Sequence, residues 1–272
     1  MQRTLILPVA AFLLLPALGC GKIAARADLK KGNSYYQQEQ YSKALDAYQA
    51  GLERDPDATF AWRSLGLSAL ALYRPGDDNP KNVSYATTAI DAFEKYLADY
   101  PDDEKVSDYL MSTYVNAKKY DDALAFIDRR IQEKPAEATK LQRAKVNIMT
   151  QAGRLDQAFK LADGLQGQEK AQTLYSIGVS AWDKVFHQGE TLDYDGRSKL
   201  VDMGMDAIKK ALDIKPDYFE AMVYYGLLYR QKAALETDPA KRLEDEQIAS
   251  DWQQKAIALR KKSEPAKAPA NT

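Results

Sequence analysis

A 34-residue period runs through most of this 272-residue chain and constrains its fold more than any other feature. The clearest copy, from Gly32 to Pro56, reads GNSYYQQEQYSKALDAYQAGLERDP. Small residues (Gly32, Ala44 and Gly51) occupy repeat positions 8, 20 and 27 of this copy, aromatic residues occupy positions 11, 17 and 24, and proline occupies position 32. Small residues let two helices approach closely, and the proline ends the second helix. Each period therefore predicts one pair of antiparallel helices.

This pattern resembles the tetratricopeptide repeat, which has small residues, aromatic residues and proline at the same positions. The resemblance implies an all-α fold, a right-handed α-solenoid of about six helix pairs with a C-terminal capping helix, because one pair cannot bury its apolar face alone. The cap is expected to turn Trp252, Ile257 and Leu259 inward. The predicted repeats are residues 25–58, 59–103, 104–137, 139–169, 171–218 and 219–259, within a solenoid that spans 25–262. Residues 263–272 are small, polar and proline-rich, which predicts a disordered tail.

Three predicted repeats carry extra residues between their two helices, at 73–83, 186–198 and 231–245. Each insertion is expected either to lengthen the first helix of its repeat or to form a loop on one rim. An insertion of this kind serves either a dedicated contact or the padding of the repeat array.

The first nineteen residues indicate a signal peptide. Arg3 precedes an apolar stretch from Leu5 to Leu18, which is shorter than the roughly 20 residues that span a bilayer. Ala17-Leu-Gly-Cys20 resembles the bacterial lipoprotein box, in which the cysteine is lipidated. The alternative is an ordinary signal peptide with an unrelated cysteine.

The lipoprotein resemblance implies that Cys20 carries a lipid anchor and that residues 20–24 form a short tether, no longer than roughly 20 Å when extended. In such lipoproteins, an aspartate directly after the cysteine favours retention in the inner membrane. This sequence has Gly21 there, so the resemblance implies an exported protein held on the outer membrane and facing the periplasm. Because Cys20 is the one cysteine of the sequence, its lipidation would leave no thiol for a disulfide or a metal.

Composition and motifs do not favour catalysis. The net charge of −1 gives no reason to expect a nucleic-acid partner. His187 is the single histidine, and a metal site with Asp183 and Glu190 is a weaker interpretation than a solvated surface group. The sequence has no phosphate-binding glycine loop and no nucleophile-elbow serine. We therefore expect no enzyme activity, no cofactor and no metal.

The tetratricopeptide resemblance implies that partner-binding residues lie on the first helix of each repeat, at positions 2, 5, 9, 12 and 13 along a concave wall. The residues carried over as partner anchors are Asn33, Tyr36, Arg63, Arg143, Asn147, Tyr175, Trp182 and Arg230. Their amide, guanidinium and aromatic groups suit an extended peptide, although most polar residues on such a wall contribute little to binding. The clamp that some family members use for a terminal carboxylate is not expected, since Leu29, Ser64 and Tyr109 replace three of its residues.

The sequence favours a membrane-tethered, non-catalytic scaffold of the bacterial envelope that binds proteins or peptides, with a layout like that of lipoproteins that assemble outer-membrane or secretion complexes. The second hypothesis is a periplasmic accessory protein that binds a glycan or a lipid carrier through aromatic residues. A comparison of peptide binding with glycan binding would separate the two hypotheses. An enzyme is a third class, and loss of turnover on His187→Ala would support it.

Overall fold

The computed structural model describes residues 17–263 of the chain, and the side chains of residues 21–262. This range contains twelve α-helices and no strand. The helices are α1 (Ala17–Gln37), α2 (Tyr41–Arg54), α3 (Ala61–Leu72), α4 (Pro80–Asp99), α5 (Glu104–Asn116), α6 (Tyr120–Glu133), α7 (Ala138–Gln151), α8 (Leu155–Ala162), α9 (Gly167–Gln188), α10 (Tyr194–Ile214), α11 (Phe219–Leu235) and α12 (Pro239–Ser263). The predicted all-α fold is confirmed, and helix pairs pack within the two units as α1–α2, α3–α4, α7–α8, α9–α10 and α11–α12.

The chain divides into two compact units, residues 1–119 and 120–272. Within the described residues, unit 1 contains α1 to α5 and unit 2 contains α6 to α12. The boundary falls between the two helices of the third predicted repeat.

In unit 1, glycines let the paired helices approach one another. A Cβ atom added at Gly32 of α1 would lie 2.7 Å from the ring of Tyr48 on α2. The same atom added at Gly66 of α3 would lie 2.5 Å from the ring of Phe93 on α4. These are repeat positions 8 and 24, so the predicted role of the small residues is confirmed for both pairs.

Unit 2 repeats this arrangement. A Cβ atom added at Gly178 of α9 would lie 2.5 Å from Ile208 on α10. Around this contact, Ile208, Leu212, Ala221 and Tyr225 form one buried cluster, which joins α10 to α11. Stability in unit 2 therefore comes from contacts within a pair and from contacts between successive pairs.

The insertions were expected to lengthen the first helix of a pair or to form a loop, but the structure shows that each of them lengthens the second helix. The first insertion leaves α3 at 12 residues and extends α4 to 20, while the other two extend both helices of their pairs. The cause is visible at two sites, where Pro80 and Pro239 begin α4 and α12 directly after the capping residues Asn79 and Asp238. The chain enters the second helix early, so much of the inserted sequence becomes helical.

The last helix, α12, completes the sixth pair and ends the described array. Trp252 is half-buried, with its ring centroid 5.0 Å from that of Tyr225, and Leu259 is also half-buried. The expectation that Ile257 turns inward is wrong, because this side chain is 46% exposed. No further helix covers it within residues 17–263.

At the other end, α1 begins at Ala17, so residues 20–24, predicted to be a tether, are helical. Lys22 Nζ lies 3.0 Å from Asp57 Oδ2, which joins this turn to the segment after α2. The predicted signal peptide and tail lie largely outside the described residues, as does the side chain of Cys20. Among the helices described, none is both long enough and apolar enough to cross a membrane.

Candidate functional site

Two groups of the predicted anchor residues lie in distinct surroundings, one in each unit. In unit 1, Arg63 on α3 lies beside Asp103, with Arg63 Nε 3.6 Å from Asp103 Oδ2. That carboxylate is itself held in place, because Asp103 Oδ1 accepts a hydrogen bond of 3.2 Å from the Val106 amide and Oδ2 accepts one of 3.1 Å from the Tyr96 hydroxyl. A fixed carboxylate orients the guanidinium group. The buried Arg63 Nε has no hydrogen-bond partner among the described residues.

We group Asn33 and Tyr36 on α1 with Arg63 as the Arg63 site, because Arg63 acts on the pKa of Tyr36 and Asn33 lies one helical turn from Tyr36. The ring of Tyr36 packs edge-on against Tyr41 at 5.3 Å between centroids. Burial raises the pKa of Tyr36, with smaller effects from Tyr41 and neighbouring groups that include Arg63. Asn33 Oδ1 accepts a hydrogen bond of 2.7 Å from the Tyr48 hydroxyl, so this predicted anchor also joins α1 to α2.

In unit 2, five rings form one connected cluster that we call the aromatic face (Tyr175, Trp182, Phe186, Tyr218 and Tyr224). Trp182 and Phe186 stack with centroids 4.9 Å apart and planes 15° apart. Tyr224 meets Trp182 edge-on at 5.4 Å and Tyr175 edge-on at 5.8 Å. Tyr218 packs on Tyr175 at 4.9 Å. Residues 175, 182 and 186 share one side of α9, because spacings of seven and four residues return to the same helical face.

One polar atom in the aromatic face lacks a partner. Trp182 Nε1 is buried and makes no hydrogen bond within the described residues. A buried donor without an acceptor costs about 1–3 kcal/mol, so an acceptor supplied by a bound molecule would stabilise the site. Phe186, stacked on the same indole, is 57% exposed and presents apolar area to solvent.

Tyr175 and Tyr218 of the aromatic face have raised pKa values and remain neutral well above physiological pH. Burial raises the pKa of Tyr175 to about 12, with smaller effects from Tyr224, Tyr218 and Glu220. Burial, followed by Glu220, also raises the pKa of Tyr218. Neutral phenols donate and accept hydrogen bonds, so the face combines apolar area with polar edges.

The other predicted anchors in unit 2 lie elsewhere. An Arg143 guanidinium nitrogen donates a hydrogen bond of 2.6 Å to Glu169 Oε1, and an Arg230 nitrogen donates one of 2.7 Å to Gln253 Oε1. Asn147 is exposed on α7. Of the predicted anchors in this unit, the structure brings Tyr175 and Trp182 together within one aromatic cluster.

His187 lies beside the aromatic face, with its ring centroid 4.9 Å from that of Phe186 and its Nε2 atom 3.4 Å from Asp183 Oδ1. Both side chains of the His187–Asp183 pair are exposed. Within the described part of the chain, no group of three or more His, Cys, Asp or Glu side chains is arranged to hold a metal ion.

Phe186, Tyr218 and Tyr224 were missed by the sequence analysis. Tyr224 stands at position 6 of the sixth repeat, and Tyr218 is the last residue of the fifth repeat. Neither residue occupies a position that the resemblance assigns to the binding wall. Phe186 lies in an insertion. Its spacing of four residues from Trp182 was the available signal, since residues four apart share a helical face.

Several solved structures are similar to this chain. MamA (residues 41 to the end) from Desulfovibrio magneticus RS-1 is 14% identical over 89% of this chain and 98% of its own, with a TM-score of 0.32. YrrB, a TPR protein with an unusual peptide-binding site, is 20% identical over 76% of this chain and 96% of its own, with a TM-score of 0.43. A TPR repeats protein from Bacteroides fragilis NCTC 9343 is 15% identical over 77% and 98%, with a TM-score of 0.43.

No curated protein matches the sequence. The family model of the tetratricopeptide repeat matches residues 29–58, which cover the Gly32–Tyr48 contact. Glycine-centred contacts of the same kind recur at Gly66 and Gly178. The chain therefore contains a segment that matches the tetratricopeptide repeat, and two further helix pairs show the same glycine-centred contact.

Proposed function

We propose that this protein is a non-catalytic, membrane-tethered scaffold of the bacterial envelope that binds peptide segments of partner proteins on the first helices of its repeats. The observation that carries the proposal is the aromatic face, where a buried indole N–H lacks an acceptor beside an exposed phenyl ring. Tetratricopeptide repeats commonly serve as surfaces for protein partners.

The chemistry of the aromatic face favours a peptide. A backbone carbonyl of the ligand can accept the hydrogen bond that Trp182 Nε1 offers, and an apolar side chain can cover Phe186. Tryptophan and tyrosine contribute most to binding when they lie in such partly desolvated clusters. Peptides offer carbonyl groups and apolar side chains at regular intervals.

The Arg63 site supports the same function in unit 1. Its guanidinium is oriented by Asp103, and the Arg63 side chain is 39% exposed. An oriented guanidinium favours a carboxylate or carbonyl acceptor, and its positive charge acts on the pKa of Tyr36.

The membrane part of the proposal rests on the sequence Ala17-Leu-Gly-Cys20 and the apolar residues before it. Lipid on Cys20 would hold the first helix pair at the surface of the outer membrane, facing the periplasm, where it could assist assembly of an outer-membrane or secretion complex. Metabolic labelling with palmitate tests the anchor. Labelled wild-type protein and unlabelled Cys20→Ser would support it, and equal labelling would exclude it.

A glycan or lipid-carrier ligand is the second candidate. Phe186 stacks on Trp182 and is 57% exposed, which leaves aromatic area of the kind on which sugar rings stack. The glycan hypothesis predicts that the protein binds oligosaccharide and that this binding does not depend on a hydrogen bond from Trp182 Nε1.

Binding measurements on the mature protein test the proposal and separate the two ligands. Fluorescent peptides from envelope proteins and labelled oligosaccharides are titrated against wild type, Phe186→Ala and Tyr194→Ala. Phe186 and Tyr194 are 57% and 52% exposed, so both variants should fold. We expect Phe186→Ala to weaken peptide binding about tenfold, equivalent to about 1.4 kcal/mol, and Tyr194→Ala to leave it unchanged. Oligosaccharide binding without peptide binding would favour the second candidate.

A further inference from the structure

The last helix pair carries an open groove of about 240 Å³ between α11 and α12. Its lining is chiefly apolar and comprises Phe219, Val223, Leu227, Ala256 and Ile257, with Arg230 and Gln253 among the polar residues. We call it the terminal groove. It is distinct from the aromatic face, because the two share no residue.

Equivalent surfaces in earlier pairs are covered by the next helix. Ile257 stands at repeat position 28, where the first repeat has Leu52 and the fifth has Leu212. Leu52 is 4% exposed and packs in one cluster with residues of α3, and Leu212 is 7% exposed in a cluster with residues of α11. Ile257 is 46% exposed. The terminal groove is therefore the place where the repeat geometry seats one more helix.

The two helices that cover Leu52 and Leu212, α3 and α11, share a sequence pattern. Each presents a small residue and, four residues later, a large one: Ala61 and Leu65 in α3, and Ala221 and Tyr225 in α11. All four side chains are buried. A helix that fits the terminal groove needs the same pair of residues on one face.

We propose that the terminal groove binds an amphipathic helix of a partner protein, seated as α3 is seated on α1 and α2. The helix carries a small residue followed four positions later by leucine or tyrosine. Because α3 begins shortly after α2 ends, the N-terminus of the bound helix lies near the C-terminus of α12, where Arg260, Lys261 and Lys262 occupy the last turn. An acidic residue in its first turn therefore complements both this basic run and the helix dipole.

Two other occupants fit less well. In a second copy of the chain, α1 would present Ala27 and Lys31 at the two equivalent positions. Lys31 is exposed and lies 3.7 Å from Asp28, and moving its ammonium into an apolar groove would cost hydration. Residues 264–272 contain Pro265 and Pro269, and this sequence does not favour a helix of two turns.

The experiment uses the mature protein and a fluorescent peptide of about 14 residues, cross-linked on its outer face because short helices are marginal in water. The peptide carries Glu in its first turn and Ala and Leu four residues apart, and a control peptide carries Asp in place of Leu. Fluorescence anisotropy is measured for wild type, Ile257→Asp and Leu243→Asp. Leu243 is a matched control, since it lies on the same helix and is 68% exposed.

Saturable binding that falls at least about tenfold in Ile257→Asp and with the Asp peptide, and is retained in Leu243→Asp, supports the proposal. Absence of binding, or equal binding to Ile257→Asp, overturns it. A dimer in sedimentation that dissociates on Ile257→Asp would assign the groove to a second copy. A tenfold gain in affinity on deletion of 264–272 would assign it to the tail. Phe186→Ala should leave this binding unchanged, so the result is independent of the aromatic face.

Discussion

The ring of Phe93 packs against the backbone of Gly66, so closely that a Cβ atom on Gly66 would lie 2.5 Å from Phe93 Cε1. Phe93 is fully buried, and its ring cannot shift into solvent. Because the same contact joins Gly32 to Tyr48, helix approach in unit 1 depends on the missing side chain at repeat position 8.

Gly66→Ala should therefore destabilise the protein, although alanine favours helices over glycine by about 1 kcal/mol. Overpacking a rigid core costs about 1–3 kcal/mol, and we expect that effect to prevail. The midpoint of urea denaturation measures the change. Gly189→Ala is the control, because its added Cβ would lie 3.7 Å from Arg197 Cδ, and we expect a change within about 0.5 kcal/mol. A stabilised Gly66→Ala variant would show that the pair is not tightly nested.

Asn82 holds the first insertion against α4. Its buried amide accepts a hydrogen bond of 2.7 Å from the Arg74 amide and donates bonds to the carbonyl oxygens of Arg74 at 2.8 Å and Asp77 at 2.7 Å. We expect Asn82→Ala to lower the free energy of unfolding by about 1–3 kcal/mol and to speed amide hydrogen exchange over residues 73–79. The exposed Ser84→Ala on the same helix should change neither, and unchanged exchange in Asn82→Ala would refute the role of this amide.

Asp245 is a buried carboxylate, 6% exposed, whose Oδ1 atom lies 2.9 Å from Lys232 Nζ. The hydrogen bond to Asp245 is the largest cause of the raised pKa of Lys232. Lys232→Met should lower the free energy of unfolding at neutral pH by about 1–3 kcal/mol, because it removes the ammonium partner from a buried charge. Lys232→Met with Asp245→Leu should recover much of that loss. A single variant as stable as wild type in urea denaturation would contradict the importance of the pair.

Alkaline pH should destabilise unit 2 through Tyr175. Its pKa is raised to about 12 in the folded protein, against 10.0 in the unfolded chain. The unfolded chain therefore loses this proton first, so the stabilisation is complete below pH 10 and is lost as the pH rises towards 12. In Tyr175→Phe, urea midpoints should fall less steeply over that interval. Equal slopes for the two proteins would contradict the burial of this phenol.

Much of the fold could be predicted from spacing. Gly32 and Tyr48 stand sixteen residues apart in the sequence, and their contact follows from helix geometry within one repeat. The N-terminal prolines of α4 and α12 could also be predicted, since proline fits the first helical turn. The exposure of Ile257 could not be predicted. Repeat position 28 is also apolar in the first and fifth repeats, as Leu52 and Leu212, and its burial depends on whether another helix packs on it.

The candidate site was predictable in part. Tyr175 and Trp182 were found at positions assigned by the resemblance, whereas Tyr224 joins them from the following repeat. Contacts between repeats depend on how successive pairs stack, and that packing has no spacing signature in one sequence. The missing acceptor at Trp182 Nε1 could not be predicted, because a tryptophan in the sequence does not show whether its indole N–H will find an acceptor in the fold.

Photocrosslinking in the native envelope tests most directly whether the aromatic face binds a protein partner. A photoreactive amino acid is placed at residue 186 or, as a control, at residue 194, and crosslinked proteins are identified by mass spectrometry. We expect a discrete protein adduct from residue 186, weakened by Trp182→Phe, which keeps a ring but removes the indole donor. Residue 194 should give no such adduct. Equal adducts at both residues, or none at residue 186, would contradict the proposed scaffold function of this face.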